Sequence, residues 1–82
     1  MDNKKNKKIG VLGLGMSGKS AINYFNSKSI DIIAWDDLEN IRKKFEKHNV
    51  VIKDLNDTKN IKLIKKLFVS PGIKPTHPIL IL

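Results

Sequence analysis

Lys8-Ile9-Gly10-Val11-Leu12, running straight into Gly13-Leu14-Gly15-Met16-Ser17-Gly18, is the stretch on which the architecture of this chain turns. A short apolar run, a glycine turn and an amphipathic segment predict a strand, a tight loop and a helix beginning near Ser17. In such a turn the first glycine makes the bend, the second lets backbone approach a ligand, and the third allows close helix–strand packing. Backbone N–H groups and the positive end of the helix then point at one place, where a phosphate or diphosphate can sit.

The same residues satisfy a second pattern. From Gly13 through Gly18-Lys19-Ser20 the chain also reads G-x-x-x-x-G-K-S, the phosphate loop of ATPases and GTPases. Ile32-Ile33-Ala34-Trp35-Asp36-Asp37 imitates the apolar strand and acid that hold Mg²⁺ in such enzymes. That acid comes only 16 residues after Ser20, and lysine supplies 15 of the 82 residues, so a lysine beside a glycine is unsurprising. A small phosphate-loop ATPase is the weaker reading of the motif, and a dinucleotide-binding module stays open beside a diphosphate-sugar site.

Outward from the motif, elements alternate. The spacing of Ala21, Ile22, Phe25 and Tyr24 predicts an inward helix face over Ser17 to Lys28. Asp31 to Trp35 reads as a strand buried on both faces. Glu39 to His48 reads as a second helix, with an acid in its first turn and Asn49 as its stop. Val50 to Lys53 is a third strand, Thr58 to Lys65 a short helix, and Leu67 to Ser70 a fourth strand ended by Pro71-Gly72. Thr76-His77-Pro78 has the form of a helix start. Four apolar residues, Ile79 to Leu82, then close the sequence like an unfinished first turn, so the domain is expected to be truncated there, the alternative being that they dock as an extended tail. The order β-α-β-α-β-α-β predicts an α/β, Rossmann-like open parallel sheet of four strands in the order 3-2-1-4, with right-handed crossover helices. Residues 1–7 form a basic leader and 8–82 one incomplete domain.

Composition narrows the function classes. A net charge of +8 invites a nucleic-acid partner, yet arginine occurs once, at Arg42, and the aromatics lie within apolar stretches rather than among basic residues. Lysine, asparagine and isoleucine make up 35 of the 82 residues, the bias of an AT-rich coding sequence. Solvated lysine faces account for the charge, and no nucleic acid or membrane partner is expected. No run approaches the ~20 apolar residues of a membrane span. The chain has no cysteine, His77 lacks a second histidine or carboxylate at ligand spacing and His48 falls at an expected helix end, so no metal site is expected. The expected location is the cytoplasm and the expected state a monomer.

In an open parallel sheet, ligands bind at the carboxyl ends of the strands where strand order reverses. The glycine loop ends the first strand there, Asp36 and Asp37 end the second, and Ser70-Pro71-Gly72-Ile73 ends the fourth. Asp36 falls 18 residues after Gly18, near the acidic position that grips a ribose in dinucleotide folds. A carboxylate there can accept from a ribose hydroxyl or a base N–H, or simply end a strand and cap the next helix.

Taken together, Val11-Leu12-Gly13-Leu14-Gly15-Met16-Ser17-Gly18, Trp35-Asp36-Asp37, and Val69-Ser70-Pro71-Gly72-Ile73 with Thr76-His77-Pro78 resemble the N-terminal domain of the Mur ligase family. The likeness is to those members that join D-glutamate to UDP-N-acetylmuramoyl-L-alanine with ATP hydrolysis. It covers essentially the whole chain but about the first fifth of such an enzyme. It implies that this domain holds the UDP end of the substrate. Gly15, Met16, Ser17 and Gly18 would meet the diphosphate, with the Ser17 hydroxyl as an added donor. Asp36 would accept from the uracil N–H, the backbone around Asp37 would contact the base, and Gly72 would let backbone come close to the substrate. Family members often have threonine where Asp37 stands and an apolar residue in place of Lys19. Their ATP and Mg²⁺ sites and catalytic residues belong to later domains, so this chain binds no cofactor and alone is expected not to catalyse.

Overall fold

The computed structural model describes residues 8–45 and 50–81 of the chain. Its core is a four-stranded parallel sheet in the order β3-β2-β1-β4, as the alternation predicts. The strands are β1 (Lys8–Leu12), β2 (Ile32–Trp35), β3 (Val51–Ile52) and β4 (Ile64–Val69), joined by α1 (Met16–Ser27), α2 (Glu39–Lys43) and α3 (Thr58–Ile61). A last short helix, α4, spans Pro78–Ile81. β1 pairs with β2 from Ile9↔Ile32 to Leu12↔Trp35, and with β4 up to Leu12↔Val69.

Strand periodicity sorts the apolar residues onto two faces. Val11, Ile32 and Ala34 point to one, where they pack with Leu14 and Ile22 of the α1 side and with Phe45 and Ile41 from the α2 side. Leu12 and Ile33 point to the other and meet Leu55, Ile61 of α3 and Ile79 of α4. Both faces of β1 and β2 are therefore covered, which is why these strands are almost uninterrupted apolar runs. Gly10 in mid-β1 marks a close approach, because a methyl there would lie 2.6 Å from Cδ1 of Ile64 on β4.

Several boundaries differ from the sequence reading. α2 is five residues long, not ten, and then tightens: the amides of Lys44 and Phe45 donate to the carbonyls of Ile41 and Arg42, three residues back. This turn swings Phe45 into the core. The expected helix end at Lys47, His48 and Asn49 lies outside the described residues. α3 stops at Ile61, and β4 starts at Ile64, three residues before the expected Leu67. Extension of β4 comes from pairing, since a register irregularity beside Lys8 and Ile9 lets Ile64 and Lys66 join the β1 ladder. Tyr24 is 58% exposed rather than part of the inward face. It lies at the margin of the stripe made by Ala21, Ile22 and Phe25, and the Lys28 ammonium sits 5.8 Å from its ring centre. Ile79 is buried, so the final apolar residues begin by packing into the core.

Candidate functional site

The glycine loop, the end of β2 and the loop after β4 meet at the carboxyl edge of the sheet, beside the point where the chain leaves β1 for β2 on one side and β4 lies on the other. The Gly13 amide donates to the Trp35 carbonyl at 2.8 Å, and the Ser70 amide donates to the Leu12 carbonyl at 2.9 Å. These bonds carry the sheet ladder one residue past its strands and fix the three loops side by side.

Two glycines in the loop answer to packing. Gly13 has φ +94°, and a methyl on it would stand 2.7 Å from Cβ of Ser70. A methyl on Gly18 would fall inside the carbonyl oxygen of Gly13, so α1 can lie this close to the loop only with glycine there. Gly15 is different. It is the N-cap of α1, offers no side-chain cap, and a methyl on it would meet nothing within 4 Å. Met16 and Ser17 are exposed and Gly18 is buried. Their amides are the first-turn donors that a helix leaves without an intrahelical acceptor; the next amide, of Lys19, already reaches the Gly15 carbonyl at 2.9 Å. Twelve residues of aligned peptide dipoles stand behind this turn. Gly72 also has open space around it.

Asp36 works as a brace. Its Oδ2 accepts from the Leu14 amide and its Oδ1 from the Leu38 amide, both at 2.9 Å. One carboxylate thus fixes the glycine loop and the start of α2. Asp36 ends its strand and fixes the turn before α2, whose N-cap residue, Leu38, has no side-chain cap, and each oxygen keeps a further lone pair for a ligand donor. The Arg42 guanidinium donates to the Asp36 carbonyl at 2.7 Å and stacks 4.2 Å over the Trp35 ring, a cation–aromatic contact.

Asp37 turns toward other loops. Its Oδ1 accepts from Trp35 Nε1 at 2.8 Å and Asn56 Nδ2 at 3.1 Å, and its Oδ2 lies 2.6 Å from His77 Nε2. Partial burial pulls its pKa upward, but the hydrogen bonds from Trp35, His77 and Asn56 outweigh it and hold the carboxyl below the usual value of 3.8. A carboxylate with a lowered folded pKa stabilises the fold above its unfolded value and stops doing so as pH falls through the folded one. The cluster is therefore expected to loosen only below about pH 3.8, and thermal melts followed from pH 6 to 2 should show an Asp37→Asn variant losing less stability over that last interval. Asn56 and Arg42 escaped sequence reading. The polar run Asp54-Leu55-Asn56-Asp57 was the available signal, since such clusters cap helices; Asp57 does cap α3, accepting from the Lys59 amide.

Two cavities open on the described surface, the second of them adjoining the start of α1. One of about 660 Å³ opens at the amino ends of the strands, by Lys8, Asp31 and Val51. The other, about 650 Å³, runs along α1 past Met16, Ser17, Tyr24 and Phe68. The second is lined mainly by apolar groups along α1 and reaches the start of that helix at Met16 and Ser17. Among the described residues no group of three or more His, Asp or Glu side chains could hold a metal ion, and no helix is long and apolar enough to cross a membrane.

Comparison with known proteins agrees with this geometry. The family model described as "Mur ligase MurD-like, N-terminal domain" matches residues 7–81. A protein of Rickettsia bellii named UDP-N-acetylmuramoylalanine–D-glutamate ligase is 44% identical over 78 residues, covering 92% of this chain and 17% of that protein. Proteins of the same name from Wolbachia pipientis and Cereibacter sphaeroides are 38% and 31% identical, covering 90% and 88% of this chain. They are themselves covered over 14% and 16% of their lengths, so the chain spans about one sixth of these curated relatives. No solved structure matches. With its parallel 3-2-1-4 sheet, its glycine loop and a family match over nearly its full length, this chain belongs to the Mur ligase MurD-like N-terminal domain family.

Proposed function

We propose that this chain binds the UDP end of UDP-N-acetylmuramoyl-L-alanine, as part of a cytoplasmic ligase that joins D-glutamate to that substrate in peptidoglycan synthesis. The observation that carries the reading is the α1 N-terminus: its cap residue Gly15 has open space where a side chain would be, beside exposed Met16 and Ser17. Packing explains Gly13 and Gly18 but not Gly15, so the room above it suits a ligand. The amides of Met16, Ser17 and Gly18, with the Ser17 hydroxyl, take the diphosphate. Asp36 accepts from the uracil N–H with a lone pair its two backbone bonds leave over, and backbone near Asp37 and Gly72 borders the nucleotide.

ATP and Mg²⁺, which drive amide-bond formation in the longer enzymes, are not assigned to this chain. Asp36, the acid a phosphate-loop ATPase would turn toward Mg²⁺, accepts here from the Leu14 and Leu38 amides, which supports its reading as a brace of the glycine loop.

Gly15→Ala tests the proposal. The fold has space for the methyl, and alanine at an N-cap costs about 1 kcal/mol. Stability should fall by no more than that, while affinity for UDP, measured by calorimetry, should drop more than about tenfold because the methyl occupies the ligand's approach. UDP binding unchanged in that variant would remove the diphosphate from this turn.

A further inference from the structure

His77 is 10% exposed and makes two hydrogen bonds of opposite sense. The Ile79 amide can only donate, and it lies 3.2 Å from Nδ1, so that nitrogen offers its lone pair and His77 caps α4. In a neutral imidazole the proton is then on Nε2, which donates to Asp37 Oδ2 at 2.6 Å. The partners thus fix one tautomer. Asp37 cannot follow a moving His77, because its other oxygen is held by Trp35 on β2 and by Asn56. Asn56 is anchored in turn, its amide and its Nδ2 donating to Asp54 Oδ1 at 2.8 and 2.9 Å.

The segment from Ser70 to His77 is consequently pinned at both ends. Ser70 is fastened to Leu12 and His77 to Asp37, with turns closed by Ile73 N–H on the Ser70 carbonyl and His77 N–H on the Lys74 carbonyl. Gly72 stands exposed within it. Ile73 and Ile79 pack into the core on either side of residues 74–77; without the His77 bond, those apolar contacts and the Ser70 bond would be left to set where Gly72 lies relative to the glycine loop.

We propose that His77 is a positioning residue: its Nε2–H, aimed by the α4 cap on Nδ1, fastens the 70–77 loop to the end of β2 and so sets the width of the crevice. Its effect on a ligand rests on the UDP reading above; its effect on the loop does not.

Asparagine and glutamine take the imidazole apart. The Asn side-chain oxygen can stand in for Nδ1 and keep the α4 cap, while the Gln side-chain nitrogen can stand in for Nε2 and keep the bridge. With UDP as the probe and the 82-residue chain in solution, His77→Asn should weaken binding roughly tenfold and shift the amide resonances of Gly72 and Asn56. His77→Gln should stay within about threefold of the parent, with those resonances near their original positions. The reverse order, or equal losses in both variants, would overturn the proposal, since a cap or bulk packing would then explain His77. Should the parent chain not bind UDP at all, the UDP reading fails and the loop assignment is decided by resonances alone. Imidazole nitrogen shifts of the unmodified chain should show Nε2 protonated and Nδ1 bare, a measurement that needs no variant; the opposite tautomer would refute the bridge.

Discussion

Gly18→Ala is expected to cost this chain a large fraction of its stability. The methyl would be driven into the Gly13 carbonyl oxygen, a backbone atom in a loop already fixed by the Gly13–Trp35 hydrogen bond and by contact with Ser70 and Ile73. A flexible side chain could move aside; this carbonyl can yield only if the loop or α1 shifts as a unit. Overpacking of that kind costs about 1–3 kcal/mol and occasionally more, and the rigid neighbour places this case at the upper end. A chain this short has in total some 0.05–0.15 kcal/mol per residue, so roughly 3 kcal/mol is a large fraction. In a urea titration followed by far-UV circular dichroism, the midpoint should fall by about 2 M. A midpoint within about 0.5 M of the parent would mean that the close contact between α1 and the loop is not a feature of the folded chain in solution.

Asp36→Ala should produce the second large effect, on stability and on ligand affinity together. It strips the acceptor from the Leu14 amide, whose residue is buried, and from the Leu38 amide that opens α2. A buried N–H left without a partner costs about 1–3 kcal/mol. Asp36→Asn should be intermediate, because one amide oxygen can serve one of the two donors while its NH₂ group faces the other. On the proposed function both variants also lose the charged acceptor for the uracil N–H, and UDP affinity measured by calorimetry should fall by an order of magnitude or more. NADH fluorescence should not respond to parent or variant. An NADH response that Asp36→Ala abolishes would instead favour a dinucleotide-binding module, and intact UDP binding in the alanine variant would confine Asp36 to bracing.

The two variants probe opposite sides of the loop. Gly18 holds it from the helix, by the absence of a side chain, while Asp36 holds it from β2 with a charged one. Gly15 lies between, needed by neither contact. The same loop therefore contains positions set by packing and a position that packing leaves free, and substitutions can separate the two roles.

Local sequence was enough for the strand–glycine–helix unit at Lys8 to Ser27, for the both-face burial of β2, for the 3-2-1-4 order, and for α4 starting behind His77. Each is written in residues close along the chain: alternation for the strands, turn and cap chemistry for the boundaries, and the rule of right-handed crossovers for strand order. The candidate positions Gly15 to Gly18, Asp36, Asp37 and Gly72 were likewise visible as the ends of predicted elements. Their working partners were not. Leu14 and Asp36 are 22 residues apart, Asn56 and Asp37 are 19 apart, and His77 and Asp37 are 40 apart. Only the register of β1 against β2 and β4 brings these groups to one edge, and only loop geometry decides which oxygen each donor meets. For that reason the sequence by itself determined the scaffold and the place of the crevice, while the tertiary structure decided that Asp36 faces the glycine loop and that Asp37 is shared among Trp35, Asn56 and His77.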